Sequence, residues 1–235
     1  MAKPCYTHHM DIIKKNHILS YVTPYLPDNP IIVEAGAFDG TDTRKMSAHW
    51  PQGTIHAFEP VPDIFAMLEQ NTSDLSNVIR HQIALSDQTG SATFYVSEKP
   101  SKPGEPFQAG TLLKPKERLK HSPITYPRTI TVPTITLDAW AQQNHITHID
   151  FMWLDLQGLA LPVLKGGINI LKTVRALFVE LEFIEAYEGQ AQYQDVKAWL
   201  ESQGFTAIAQ DFLNTTAWIY GNVLFVKKHG DAFSE

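Results

Sequence analysis

The sequence predicts an α/β fold with a doubly wound, mostly parallel sheet that carries helices on both faces, and three observations support this class. The chain has 235 residues, of which 43% are hydrophobic, so it can bury one substantial core. Short β-branched segments alternate with helical segments, as in parallel βαβ units. The last two strand-like segments lie too close together for a crossover helix, so we expect the final strand to run antiparallel. We expect a single domain over residues 1–235.

The elements are predicted in chain order from their periodicity and their Gly and Pro boundaries. A leading helix is expected over about residues 8–23, ending before Pro24. Strands are then expected in NPIIVEAG, GTIHAFEP, NVIRHQIALSD, TGSATFYVSE, TITVPTIT, HIDFMWLDLQG, VRALFVELEF, FTAIAQD and GNVLFVKK. Helices are expected in TDTRKMSAHW, VPDIFAMLEQNT, LDAWAQQN, LALPVLKGGINILK and QYQDVKAWLESQG. Thr41 or Asp42 is the expected N-cap of the first of these, and Gly204 the expected C-cap of the last.

A basic, proline-rich insertion interrupts the pattern over about residues 97–128. It holds six of the fifteen prolines and seven Lys or Arg against three Glu, which gives +4 within a chain of net charge −6. Long loops of this kind are usually functional or mobile. We hypothesise that Lys114, Lys116, Arg118 or Lys120 contacts an anionic acceptor. The alternative is a solvated surface loop.

Composition excludes several classes of function. A net charge of −6 argues against a nucleic-acid-binding protein with a broad basic face. Cys5 is the only cysteine and the ten histidines form no ligand pattern, so we expect neither a disulfide nor a metal site. No segment resembles a signal peptide or a transmembrane helix, so a cytoplasmic protein is expected. The sequence does not indicate the oligomeric state.

Acidic residues follow several predicted strands. Glu34 and Asp39 flank the first strand, Glu59 follows the second and Asp155 a later one, at the edge where open α/β sheets bind ligands. Dinucleotide folds use G-x-G-x-x-G and bare backbone N–H groups for a pyrophosphate, whereas this loop reads G-x-x-x-G with two acids. S-adenosylmethionine carries an ammonium and a sulfonium, which carboxylates attract. The sequence therefore favours the methyl donor over NAD, although a simple capped helix N-terminus would give the same local pattern.

The ordered segments VEAGAFDGTDT, IHAFEPVPDIFAMLEQN, NVIRHQIALSDQTGSATFY, TVPTITLDAW and IDFMWLDLQG resemble the FkbM family of S-adenosylmethionine-dependent methyltransferases. The resemblance runs from about Pro30 to Lys227. It implies a class I methyltransferase (Rossmann-like) fold, with a seven-stranded sheet whose last strand is antiparallel. It also implies methylation of an oxygen on a small-molecule or glycan-like acceptor.

The resemblance further implies roles for individual residues. The residues expected around the methionine part of the cofactor are Glu34, Gly36, Ala37, Asp39, Gly40 and Thr41. Glu59 would bind the ribose hydroxyls, and the adenine would lie among Pro60, Val61, Ala84 and Leu85. Asp155 would stand near the transferred methyl group. Family members typically continue D-x-E-G-A-E, whereas this chain has DLQGLA, so Gln157 and Ala160 replace two acids.

Glu180 and Glu182 are the candidate catalytic residues. They lie at the end of a predicted strand that borders the same edge of the sheet, and their spacing places both on one face. Either could serve as the general base for a hydroxyl acceptor, and Tyr187 is a weaker candidate. Two other functions stay open: a NAD-dependent oxidoreductase or epimerase, and a non-catalytic cofactor-binding domain, which the loss of two family acids would explain.

Overall fold

The computed structural model of the chain describes residues 10–214 and 218–227. The strands are β1 (Asp11–Ile12), β2 (Ile31–Ala35), β3 (Thr54–Phe58), β4 (Val78–His81), β5 (Ala84–Ser86), β6 (Gly90–Glu98), β7 (Thr125–Thr136), β8 (Phe151–Leu154), β9 (Ala176–Glu182), β10 (Phe205–Gln210) and β11 (Tyr220–Lys227). The helices are α1 (Ile18–Val22), α2 (Thr41–His49), α3 (Pro62–Asn71), α4 (Arg118–His121), α5 (Leu137–Gln143), α6 (Ala160–Lys165) and α7 (Tyr193–Ser202). Within these residues, none of the helices has the length and apolar character needed to cross a bilayer.

An eight-stranded sheet has the order β1-β10-β11-β9-β8-β2-β3-β4. Across the sheet, seven strands lie side by side in the order β10-β11-β9-β8-β2-β3-β4. All of them run in one direction except β11, which pairs antiparallel with both β9 and β10. The predicted fold class and the reversed last strand are therefore confirmed. The short strand β1 adds an eighth strand beside β10. Every residue of β8 and β9 is buried, as expected for central strands covered on both faces.

Helices cover both faces of the sheet. On one face, side chains from α5, α6 and α7 pack with Leu154 and Val179. On the other, side chains from α1, α2 and α3 pack with Ile32 and Phe178. The sheet is thus buried between two apolar layers, and the carboxyl ends of its parallel strands open at one edge.

The prediction of a continuous leading helix is wrong. Residues 8 and 9, with Cys5, lie outside the described residues, and the rest divides into β1, a 3-10 turn at Lys15–His17, α1 and a second 3-10 turn at Thr23–Tyr25. The apolar residues do not share one helical face, because Ile12 is exposed on an edge strand that pairs with β10, whereas Ile18 and Val22 are buried. This break places Lys15 at the sheet edge where the parallel strands end.

Two further boundaries differ from the predictions. The predicted third strand divides at Gln82: β4 stays in the main sheet, whereas β5 pairs with β7 in a second sheet of order β5-β7-β6. The insertion is also partly regular, because it contains α4 and the first residues of β7. Strand β7 begins before the segment in which the sequence predicted a strand, because its first residues pair antiparallel with β6. The second sheet forms one wall above the main sheet's open edge.

Candidate active site

A cleft of about 670 Å³ opens at the carboxyl ends of β2, β3, β8 and β9. This volume lies within the range of about 300–1,000 Å³ that small-molecule sites occupy. The second sheet and residues 107–112 of the insertion form the facing wall. Ten of the predicted cofactor residues line the cleft, namely Glu34, Gly36, Ala37, Asp39, Thr41, Glu59, Pro60, Ala84, Leu85 and Asp155. Gly40 and Val61 are not among its described lining residues.

Gly36 and Gly40 are needed for packing within the protein. Gly36 has φ +87°, and a Cβ there would lie 2.0 Å from the backbone oxygen of Asp155. Gly40 has φ +84°, and a Cβ would lie 2.9 Å from Leu68 Cδ1. The expected N-cap of α2 at Thr41 or Asp42 is wrong, because Gly40 occupies that position and Asp39 Oδ1 accepts a hydrogen bond from the Thr41 N–H at 3.0 Å. Left-handed φ excludes most side chains at both positions.

Glu34 and Glu59 are buried carboxyl groups at the ends of β2 and β3. Burial raises the pKa of each to about 8, and the hydrogen bonds that they accept lower it only partly. The Thr43 hydroxyl donates to Glu34, and the Val61 N–H donates to Glu59 Oε1 at 2.9 Å. Both residues line the cleft, so a ligand with hydroxyl or ammonium groups can supply the partners that would stabilise their ionised forms.

Acidic side chains outnumber basic ones in the cleft by seven to three. The acids are Glu34, Asp39, Asp42, Glu59, Asp155, Glu180 and Asp211, and the bases are Lys15, Lys45 and Arg118. In their ionised forms these acids repel a pyrophosphate and attract an ammonium or sulfonium group, and such a cation in turn favours ionisation of the buried glutamates. The buried carboxyl of Glu59 lines the cleft at the end of β3, where it can accept hydrogen bonds from a ligand that carries hydroxyl groups. The residues present therefore fit S-adenosylmethionine and do not fit a dinucleotide.

A hydrogen-bonded network joins the acids at the other end of the cleft. Gln157 Nε2 donates to Asp155 Oδ1 at 2.8 Å and to Glu180 Oε1 at 2.6 Å. Gln157 Oε1 accepts from the Tyr187 hydroxyl at 2.7 Å, and its backbone oxygen accepts from Thr111 Oγ1 at 2.9 Å. The amide of Gln157, at a position where the resemblance implies an acid, thus bridges two carboxyl groups that would repel each other when ionised.

Glu180 and Glu182 are both buried, but they occupy different surroundings. Glu180 lines the cleft, and its pKa is raised well above the ordinary value by burial and then by Asp155 and Glu182. Glu182 is not among the described lining residues; its Oε2 accepts a hydrogen bond from Gln190 Nε2 at 3.4 Å, and burial raises its pKa to about 8. Tyr187 is also buried, and its hydroxyl is held by Gln157.

Four cations of the insertion were predicted as candidate contacts of an anionic acceptor, and of these four only Arg118 lines the cleft. Lys114 pairs with Glu188 and Lys116 with Glu185, while Lys120 of α4 pairs with Glu117, the residue just before that helix. These three lysines are solvent-exposed, and the charge that each contributes is balanced by its partner. Arg118 is 6% exposed.

Several other lining residues were not predicted from the sequence pattern. Lys15 lies 3.9 Å from Asp155 Oδ2 and 3.8 Å from Asp42 Oδ2, with its ammonium 5.5 Å from the centre of the Trp153 ring. The residues contributed by β11 and the connection before it are Asp211, Trp218, Tyr220 and Asn222. Because β11 runs antiparallel, its first residues reach the edge where β9 ends, with Asn222 beside Glu180.

Comparison with known proteins agrees with this geometry. Residues 34–207 match the methyltransferase FkbM domain. The chain is 30% identical over 185 residues to the 2-O-methyltransferase NoeI of Sinorhizobium fredii, covering 78% of this chain and 75% of that protein. It is 24% identical over 172 residues to the hexuronic acid methyltransferase AglP of Haloferax volcanii, covering 73% of this chain and 64% of that protein.

A solved structure shares the fold. Magnesium protoporphyrin IX methyltransferase from Synechocystis PCC 6803, determined with bound S-adenosylmethionine, superposes with a TM-score of 0.51 at 10% identity, covering 91% of this chain and 77% of that chain. The family match decides between the two cofactors that the sequence left open, in favour of S-adenosylmethionine. The chain belongs to the FkbM methyltransferase family and is an S-adenosylmethionine-dependent methyltransferase.

Proposed function

We propose that the chain is an O-methyltransferase whose acceptor is a hydroxyl group of a sugar or sugar-containing small molecule. Two relatives support this class of acceptor by name, one a 2-O-methyltransferase and the other a hexuronic acid methyltransferase. The observation that carries the proposal is the position of Glu180, a buried carboxyl that faces the cleft and is joined to Asp155 through Gln157.

The cofactor would be held by the residues at the ends of β2, β3 and β5. S-adenosylmethionine supplies a methyl group on a positively charged sulfur. Glu59 would accept hydrogen bonds from the ribose hydroxyls, and Pro60, Ala84 and Leu85 would border the adenine, with the buried Val61 supporting Glu59 through its N–H. Glu34, Ala37, Asp39 and Thr41 would hold the methionine part, while Gly36 and Gly40 give their loop its shape. Asp155 would lie beside the transferred methyl group.

Glu180 acts as the general base and takes the proton that the acceptor hydroxyl loses. Its raised pKa suits this role, because a carboxylate whose charge is disfavoured by burial and by Asp155 binds a proton more strongly. Gln157 fixes the carboxyl in place, and Tyr187 fixes Gln157. Glu182 lies behind Glu180 and contributes to its raised pKa.

The test is the Glu180→Gln variant, which keeps the shape of the side chain and removes its basicity. We expect kcat for methyl transfer to a panel of free and p-nitrophenyl mono- and oligosaccharides to fall about 10²- to 10⁴-fold, the range for loss of a general base. Binding of S-adenosylhomocysteine, measured by calorimetry, should be unchanged. Transfer should also rise with pH in the wild type, because Glu180 must lose its proton first.

Glu182→Gln and the exposed Glu201→Gln are the comparison variants. A loss of transfer in Glu182→Gln with full transfer in Glu180→Gln would move the base to Glu182. Intact binding of S-adenosylhomocysteine without transfer to any sugar by the wild type would instead support the non-catalytic cofactor-binding domain that the missing acids leave open. Glu201→Gln should match the wild type in every measurement.

A further inference from the structure

One cation of the insertion, Arg118, is buried and lines the acidic cleft. Arg118 is 6% exposed, lines the cleft, and stacks its guanidinium 4.9 Å from the centre of the Tyr220 ring. A charged group is seldom buried this far unless it has a partner of opposite charge. The inference drawn from this residue rests on the proposed function and specifies its acceptor.

Backbone and side-chain contacts hold Arg118 at this position. The Arg118 N–H and the Lys116 N–H both donate to the backbone oxygen of Ala186, at 3.1 and 2.9 Å. The ion pairs of Lys114 with Glu188 and of Lys116 with Glu185 join the same two segments of chain. The guanidinium is therefore positioned before any ligand arrives, which lowers the entropic cost of binding one.

The protein satisfies the guanidinium only in part, because one of its buried donors has no partner. Its Nε is buried and has no hydrogen-bond partner, and no carboxylate in residues 10–214 or 218–227 forms an ion pair with it. The hydroxyls of Tyr126 and Tyr220 form hydrogen bonds with the guanidinium, and the nearby acid is Glu180, whose ionisation burial opposes. A buried donor left in this state costs free energy that an anionic ligand would recover.

The position of Arg118 separates it from the cofactor. Most cofactor residues follow β2 and β3 or belong to β5, and Asp155 after β8 marks their limit on this side. Arg118 lies beyond β8, where it borders Glu180 of β9 and Tyr220 of β11. Adjacent strands are about 4.8 Å apart, so β2 and β11 are separated by roughly 14 Å. An anionic group that pairs with Arg118 would therefore belong to the acceptor rather than to the cofactor.

We propose that Arg118 binds a carboxylate of the acceptor, so that the sugar which this enzyme methylates is an acidic sugar of the uronate type. A planar guanidinium forms two parallel hydrogen bonds with a carboxylate, which fixes orientation as well as affinity. Trp218, 55% exposed, also lines the cleft and offers an aromatic surface against which the apolar face of a sugar ring can pack. The acceptor hydroxyl would then be directed toward Glu180.

The experiment uses pairs of methyl glycosides that differ only at C6: glucuronate with glucose, galacturonate with galactose, and mannuronate with mannose. Each is titrated calorimetrically into the full chain saturated with S-adenosylhomocysteine. We expect at least one uronate to bind about tenfold or more tightly than its neutral partner, as a hydrogen-bonded charge pair gives. Arg118→Gln should remove that preference while leaving the affinity for S-adenosylhomocysteine unchanged.

Two further variants keep the result interpretable. Lys120→Gln removes one positive charge from the same helix but from an exposed ion pair, and it should keep the uronate preference. Arg118→Lys retains the charge without the two-pronged geometry, so its preference should be intermediate; this variant also serves if Arg118→Gln does not fold.

Several outcomes overturn the proposal: no uronate preference in the wild type, the same loss of preference in Lys120→Gln, or a loss of S-adenosylhomocysteine affinity in Arg118→Gln, which would assign Arg118 to the cofactor. Tighter binding of galactose 6-phosphate than of any uronate would replace the carboxylate by a phosphate. These titrations require no turnover, so they remain decisive if methyl transfer to hydroxyls is not observed.

Discussion

Individual residues were predictable where a strand end fixes their position. Glu34, Glu59 and Asp155 follow recognisable strands, so the sequence could place them at one edge of the sheet. The sequence could not separate Glu180 from Glu182, because a spacing of two residues gives both the same face. What separates them is Gln190, which comes from a later turn and covers only Glu182. Lys15 and Arg118 begin helical turns of only three and four residues, which are too short for a periodic sequence pattern to indicate their contacts.

The bridging amide of Gln157 gives a prediction at this scale. Gln157→Glu would place a third carboxyl group beside Asp155 and Glu180 and remove the donor that serves both. We expect the free energy of unfolding to fall by about 1–3 kcal/mol at pH 8, the cost of unsatisfied buried groups. The loss should be smaller at pH 6, where the added carboxyl can keep its proton. Urea unfolding at both pH values measures the difference.

Gln88→Glu is the control for that variant, since it makes the same change at an exposed position. It should leave unfolding at both pH values nearly unchanged. Equal stability of Gln157→Glu and the wild type at pH 8 would show that the amide hydrogens do not matter to the network.

At the scale of elements, helices and strands with strong periodicity were predicted well, whereas irregular boundaries were not. The seven adjacent strands of the main sheet were predictable because buried β-branched segments have few other structures open to them. The reversal of β11 was predictable because the connection before it is too short for a crossover helix. The leading helix failed because Asp11 and Ile12 pair with β10, a partner some 200 residues away in sequence. The division of β4 from β5 likewise depends on pairing with β7, which local sequence does not encode.

A prediction at the scale of elements concerns the junction between β2 and α2. Gly36→Ala would force a Cβ against the Asp155 carbonyl at a positive φ, so β2 and the loop after β8 would have to separate. Combining strain at positive φ with the clash, we expect a loss of about 2–4 kcal/mol in unfolding free energy and weaker S-adenosylhomocysteine binding. Gly104→Ala is the control, because it has φ +83° but nothing within 4 Å of its added Cβ. Equal losses in both variants would assign the whole effect to φ.

The whole molecule combines a mildly acidic net charge with buried carboxyl groups that prefer to be neutral. Burial raises the pKa of Glu34, Glu59 and Glu182 to about 8 and lowers the pKa of His56 and His81 to about 4. A carboxyl with a raised pKa stabilises the fold fully below its unfolded pKa and loses that contribution as the pH rises through 8. A histidine with a lowered pKa stabilises above its unfolded pKa and loses its contribution as the pH falls toward 4.

The pH dependence of stability tests this balance. At pH 6.5 the two histidines together take up about one proton on unfolding, whereas the three glutamates release nearly three, so the glutamates dominate and the unfolding free energy should fall between pH 6.5 and 8. Each proton that only the folded state retains contributes a slope of about 1.4 kcal/mol per pH unit. Glu59→Gln, measured by urea unfolding without cofactor, should reduce that slope by nearly one proton. A slope identical to the wild type would show that Glu59 is ionised in the folded protein.

The contact between residues 114–118 and residues 185–188 has a consequence for exchange of parts among relatives. The insertion and the turn after β9 hold each other through backbone hydrogen bonds and two ion pairs, and together they orient Arg118. A graft of the insertion alone would leave Glu185 and Glu188 without their lysines and Arg118 without its anchor. If Arg118 selects the acceptor as proposed, an exchange of acceptor specificity between relatives requires both segments to be transferred together, and the residues around the cofactor need not change.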